Sequence, residues 1–195
     1  MVSIEKSFTL MGDSSINNLV MQGKTLLLSS SVSVKLDSEI LLSFVLSKDR
    51  SYLLTWPEKQ LSTEQVQCFI KLLMRRAEGE PIAYIVGIKE FWSLPLSVSK
   101  STLIPRPDTE TLVELVLNEY LDSEVIQCLD LGTGTGAIAL ALASEKAGWK
   151  IDAIDFSVEA VQLAQLNAKK CQLNHVKIFQ SDWFSNINND KRYDL

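Results

Sequence analysis

The chain has 195 residues, 46% of them hydrophobic, enough for one large core or two small ones. Its formal net charge of −5 leaves no overall basic field to draw it to nucleic acid or to anionic membranes. A single histidine, His175, excludes a multi-histidine metal site, and three widely spaced cysteines with no Cys-x-x-Cys argue against a disulfide framework or zinc site, so no metal is expected.

In chain order, residues 1 to about 35 are weakly patterned, with a polar stretch over Gly12 to Asn18 and a Ser29-Ser30-Ser31 break, and they read as short helices or a frayed end. No secretory apolar region precedes them, and the longest strongly apolar stretch, Ile40 to Leu46, is too short for a bilayer, so a cytoplasmic protein without membrane contact is expected. Asp37, Ser38 and Glu39 form a cap-like acidic start to a helix through Ile40, Leu41, Phe44 and Val45. Ser62 and Gln65 match a capping box, and Val66, Phe69, Ile70, Leu73 and Ala77 repeat at helical spacing until Gly79 and Pro81. Residues 1–85 therefore read as a small helical domain whose apolar stripes are core. Cys68, Cys128 and Cys171 read as buried thiols.

Residues 86–105 read as a β-hairpin linker, punctuated by Gly87 and Pro95, in which Leu94, Leu96 and Val98 alternate. Leu103 to Glu110 follows, with two prolines stiffening the approach to an amphipathic helix marked by Leu112, Val113, Val116, Leu117 and Tyr120. On residue chemistry alone, Arg106 and Glu110 are a solvated helix start with an exposed ion pair of little energetic weight.

The stretch from Val125 to Ala137 organises the rest. Apolar Val125, Ile126, Leu129 and Leu131 break into Gly132, Thr133, Gly134, Thr135 and Gly136 before the apolar run Ala137 to Ala143, which predicts strand, glycine turn and helix. Glycine frees the backbone to bring main-chain N–H groups and a helix N-terminus close to a ligand. The dinucleotide fingerprint is Gly-x-Gly-x-x-Gly, whereas the spacing here is Gly-x-Gly-x-Gly after Asp130, which resembles the first motif of class I S-adenosylmethionine (AdoMet) methyltransferases. A second strand, Lys150 to Asp155, ends in an acid at the distance after the glycines where α/β nucleotide folds place a ribose-binding carboxylate; alone, such an Asp is a helix cap. A helix over Val158 to Lys170 and a strand over Val176 to Gln180 follow, the latter leading into Ser181-Asp182-Trp183. Alternating β and α elements predict a parallel, doubly wound, Rossmann-like sheet over residues 106–195, with ligand beyond the carboxyl ends of its strands. There Asp182 can accept an adenine amino hydrogen, and Trp183 is either a flat face for the base or a core aromatic.

Taken together, Glu80 to Tyr84, Phe91 to Pro95, Leu103 to Glu110, Asp130 to Gly136 and Gln180 to Phe184 resemble the release factor glutamine methyltransferases, the protein-(glutamine-N5) methyltransferase family also called PrmC or HemK. The resemblance implies methyl transfer from AdoMet to the glutamine of the Gly-Gly-Gln loop of peptide-chain release factors. It also implies release-factor contact through the helical domain, AdoMet contacts from Gly132 to Gly136, Asp155, Asp182 and Trp183, and a place near the site for Phe91, Arg106, Pro107 and Glu110. The family's catalytic Asn-Pro-Pro-Tyr occurs nowhere in the chain, which is expected to be an N-terminal portion of a longer enzyme, its methyltransferase domain incomplete and its catalytic motif beyond Leu195. The rival expectations are a nucleic acid adenine-N6 methyltransferase, disfavoured by charge, a nicotinamide oxidoreductase, disfavoured by glycine spacing, and an inactive AdoMet-binding fragment.

Overall fold

A computed structural model describes residues 13–121 and 125–195, which fall into two compact units divided between Val86 and Gly87. The described residues of the first unit form helices α1 (Ile16–Leu26), α2 (Val34–Leu46), α3 (Arg50–Thr55), α4 (Thr63–Ala77) and α5 (Ile82–Val86). Side-chain caps set three of the starts: Ser15 accepts from Asn18 N–H, Asp49 accepts from Tyr52 N–H, and Ser62 and Gln65 form the expected capping box. The weakly patterned stretch thus holds a full helix, and its cap lies inside the polar Gly12 to Asn18 run. Two further helices, α3 and α5, have six and five residues, too few for a periodicity to show.

Helix α2 begins at Val34, ahead of the acidic cluster, so Asp37 and Glu39 are not its cap; both are buried within it. Asp37 accepts from the hydroxyls of Ser31 (2.7 Å) and Ser33 (3.0 Å) and pairs with Arg76 of α4 at 2.7 Å, while Glu39 pairs with Arg50. A buried carboxylate survives only where opposite charge and hydrogen bonds replace water, and these do. Leu19, Leu41, Leu42, Phe69 and Leu73 fill the core. Helices α1 and α2 cross where Gly23 lets Ser38 approach closely enough to donate to Val20 carbonyl at 3.1 Å; a Cβ on Gly23 would overlap the Ser38 hydroxyl. Cys68 is exposed on α4, so of the three thiols only Cys128 is fully buried.

The second unit opens with hairpin β1 (Ile88–Phe91) and β2 (Leu94–Ser97), antiparallel and joined by Trp92 and Ser93, both at positive φ (52° and 60°). Such a turn favours Asn-Gly. Here it is tied from outside: Trp92 N–H donates to Glu110 carboxylate at 2.9 Å and the Trp92 indole to Glu145 at 2.8 Å. Glu110 opens α6 (Glu110–Glu119), so it holds the hairpin tip, which corrects its reading as half of an exposed ion pair with Arg106.

The sheet is parallel in the order β3 (Gln127–Leu131), β4 (Lys150–Asp155), β5 (Lys177–Gln180), interleaved with α7 (Ala137–Glu145) and α8 (Val158–Lys170). Helix α7 packs on β4 and α6, and α8 packs on β4, β5 and the hairpin. Central strand β4 is buried from Ile151 to Ile154; the awkward member, Asp152, is held by Lys191 and by the Tyr193 hydroxyl at 2.7 Å. Along the other side of β3, Asp194 N–H donates to Gln127 carbonyl at 2.8 Å and Leu129 N–H to Leu195 carbonyl at 2.9 Å.

Asp37→Ala strips Arg76 of its carboxylate partner and removes an acceptor from two serine hydroxyls. It should cost the first unit about 3 kcal/mol, read as a lowered urea midpoint at unchanged slope. A midpoint within error of the wild type would show that the cluster adds no stability.

Candidate functional site

At the carboxyl end of β3 the chain turns from strand to helix over Gly132 to Gly136, with Gly132, Gly134 and Gly136 at φ of 78°, 56° and 82°. A side chain at position 136 would be strained: its Cβ would lie 3.1 Å from Leu140 and 3.3 Å from Ala164 in a left-handed backbone. The turn folds back on β4, since Gly132 and Thr133 N–H both donate to Ile154 carbonyl at 2.9 and 2.8 Å, and it closes with Gly136 N–H on Thr133 carbonyl at 2.8 Å. Thr133 hydroxyl donates to Asp130 at 2.6 Å, Gly134 N–H donates to Asp155 at 2.9 Å, and Thr135 carbonyl accepts from Asn167 at 2.9 Å.

Asp155, half-buried at the end of β4, accepts Gly134 N–H on one oxygen and Ser157 N–H, at 2.9 Å, on the other. A carboxylate offers about four acceptor positions, so it keeps capacity for two more donors. After β5, buried Ser181 donates to Trp183 carbonyl at 2.7 Å and accepts Asn186 N–H at 3.1 Å, shaping a tight turn with Trp183 at φ 49°. Trp183 is thereby held 70% exposed, and Phe156, just after Asp155, is exposed to the same extent. Leu131, Gly132, Ile154, Asp155, Phe156, Ser181, Asp182 and Trp183 line one cleft of about 230 Å³. Three strand ends thus converge on a concave surface with two carboxylates and two exposed aromatic faces, the composition of a small-molecule site.

A larger cleft of about 520 Å³ lies at the amino ends of the strands, among Gln127, Lys150, His175, Lys177 and Lys191. Parallel sheets place their chemistry at the carboxyl ends, which favours the smaller one. Burial pushes the Asp130 carboxyl above its ordinary range and the nearby Asp155 charge adds to the push, while the Thr133 hydroxyl and Ala139 N–H pull back.

Of the residues singled out by sequence, Gly132, Asp155, Asp182 and Trp183 line the cleft, and Thr133, Gly134, Thr135 and Gly136 form the loop behind it. Phe91 is in the core, Arg106 and Pro107 are exposed, and Glu110 serves the hairpin tip; none of the four lines the cleft. Sequence reasoning missed Phe156, whose one signal is an aromatic directly after a strand-ending acid, and it placed Ser181 at the strand end without giving it a role. Among the described residues there is no His/Cys/Asp/Glu group that could hold a metal and no helix long and apolar enough to cross a membrane.

Residues 18–87 match the PrmC N-terminal domain, and residues 107–195 match the methyltransferase small domain. The chain is 56% identical to the release factor glutamine methyltransferase of Shewanella oneidensis over 161 residues, 83% of this chain and 56% of that protein. To the proteins of the same name from Aliivibrio fischeri and Escherichia coli it is 52% and 53% identical over 88% and 81% of its length, covering 60% and 57% of theirs. It therefore spans little more than half the length of these relatives.

Because the Asp130 carboxyl is raised above its ordinary 3.8 in the folded state, the folded chain binds that proton more tightly than the unfolded one. The stability it contributes is present below the ordinary value and lost as pH rises through the raised one. Asp130→Asn, which cannot ionise, should gain Tm relative to the wild type as pH is raised from about 4 to about 7. A Tm difference that does not move with pH would mean that no such proton is held.

Proposed function

We propose, from the premise that this chain belongs to the release factor glutamine methyltransferase family, that the protein containing it methylates the side-chain amide nitrogen of the glutamine in the Gly-Gly-Gln motif of peptide-chain release factors, with AdoMet as donor. The observation that carries the reading is the convergence of glycine loop, Asp155 and Asp182-Trp183 on one cleft. The residues suit the cofactor. Asp155 has acceptor capacity for both ribose hydroxyls, Asp182 for an adenine amino hydrogen, and Phe156 and Trp183 offer faces to the base. A Cβ-free backbone at Gly132 leaves the main chain open beside them.

AdoMet supplies a sulfonium-bound methyl group for in-line displacement. The amide nitrogen that receives it is a poor nucleophile because its lone pair is delocalised, so the enzyme must orient that nitrogen and accept its hydrogens as charge develops. The family's Asn-Pro-Pro-Tyr segment, which this chain lacks, takes that task; the residues present bind and orient the donor and wall off the site. The helical first unit docks the release factor, and the reaction belongs to the cytoplasm, where release factors work. No direct contact with nucleic acid or membrane is required.

Two measurements on the full-length protein test this. Labelled methyl should pass from AdoMet to an intact release factor and not to one whose Gly-Gly-Gln glutamine is alanine; equal labelling of both would refute the substrate. Asp155→Ala removes charge-assisted hydrogen bonds worth roughly 1.5–3 kcal/mol each, so AdoMet should bind about tenfold more weakly or worse in calorimetry. An unchanged dissociation constant in a folded variant would retire Asp155 as the ribose ligand.

A further inference from the structure

Three consecutive residues of the glycine loop are each gripped by one polar side chain from a different element: Thr133 by Asp130 of β3, Gly134 by Asp155 of β4, and Thr135 by Asn167 of α8. The two acids stand at strand ends, where a nucleotide-binding fold keeps its polar groups. Asn167 does not. It sits in the last turns of α8, lines neither of the two clefts described above, and its exposure is 0%.

Its carboxamide is nonetheless almost fully used. Oδ1 accepts Ser97 N–H at 2.7 Å, and Nδ2 donates to Ser97 carbonyl at 3.0 Å and to Thr135 carbonyl at 2.9 Å. The pair of bonds to Ser97 copies the N–H and C=O exchange of an antiparallel strand, so the side chain stands in for one residue of a further strand along the edge of β2 that faces away from β1. The remaining N–H crosses to the glycine loop. Lys170 adds a bond to the Ser97 hydroxyl at 2.7 Å. A residue that merely filled this space would be apolar, as Ala160, Ala164 and Ala168 are on the same helix. Burying an amide is tolerable because three backbone groups would otherwise be stranded without partners.

Thr135 carbonyl and Gly136 N–H belong to one planar peptide unit and point to opposite sides of it. The N–H closes the turn on Thr133 carbonyl. Asn167 holds the carbonyl, so this plane is fixed from both edges, and with it the direction of the main chain entering α7.

We propose that Asn167 is a positioning residue for the glycine loop, tying its Thr135–Gly136 peptide to the hairpin so that cofactor affinity depends on a group that touches no cofactor. The idea rests on the AdoMet reading above.

The test compares variants of the full-length protein. Asn167→Asp keeps the size and the acceptor for Ser97 N–H but sets an oxygen against two carbonyls. Asn167→Ser, uncharged and shorter, is the second variant should the first not fold. Leu96→Ala, which opens a cavity in the same hairpin at a fully buried position, is the control for lost stability. Measured well below the lowest Tm, the Asn167 variants should bind AdoMet about tenfold more weakly and exchange the Gly134 and Gly136 amides faster relative to β4. Leu96→Ala should lower Tm with affinity and loop exchange within twofold of the wild type. Asn167 variants that match the Leu96→Ala affinity, or that leave loop exchange unchanged, would overturn the positioning role. A wild-type protein without AdoMet affinity would overturn the cofactor reading instead, leaving loop exchange alone to decide the role of Asn167.

Discussion

The peptide between Thr135 and Gly136 is the constraint on which the second unit depends. A strand must become a helix within five residues, and a left-handed glycine packed against Leu140 and Ala164 completes that turn. The polar groups around it follow from this. A tight loop carries backbone donors and acceptors that no regular ladder satisfies, so Asp155, Asn167 and the Ile154 carbonyl are recruited one by one, while Asp130 holds the Thr133 hydroxyl. In the proposed function, the groups that support the loop and those that meet the ligand overlap in Asp155 alone.

The first unit solves a different problem with similar means. Its apolar core would hold the described helices together in many ways, whereas the buried Asp37 can be satisfied only if the Ser31–Ser33 turn and Arg76 of α4 reach it at once. Such a group contributes less net energy than its hydrogen bonds suggest, but arrangements that leave it unpaired are costly. The close crossing at Gly23 acts in the same direction, because only one pairing of α1 and α2 brings Ser38 onto the Val20 carbonyl.

The sheet of the second unit was legible because each of its signals is local and repeated: apolar strand runs, glycines, strand-end acids and helical segments alternate through it, and the observed boundaries of β4, α8 and β5 lie within a residue of the expected ones. The first unit was less legible. Its α1 has few apolar residues in a polar setting, α3 and α5 are shorter than a readable period, and the acids of α2 looked like a cap because burial and a partner 39 residues away leave no trace in neighbouring residues. The same blindness applies at the cleft. Glycines and strand-end acids announce themselves, whereas Phe156, Ser181 and Asn167 are ordinary residue types whose part comes from what the fold sets beside them. Glu110 shows the converse, a residue singled out from a motif and found holding a hairpin tip.

That tip has a consequence for how the chain assembles. Trp92 and Ser93 both occupy backbone conformations that isolated L-residues disfavour, and the bonds that offset the cost come from Glu110 and Glu145, 18 and 53 positions further along. The hairpin is short, and two strands alone are marginal in water. During synthesis its residues are made before Glu110 and Glu145. It is therefore a poor nucleus despite its low contact order, and its register is set late, by helices made after it.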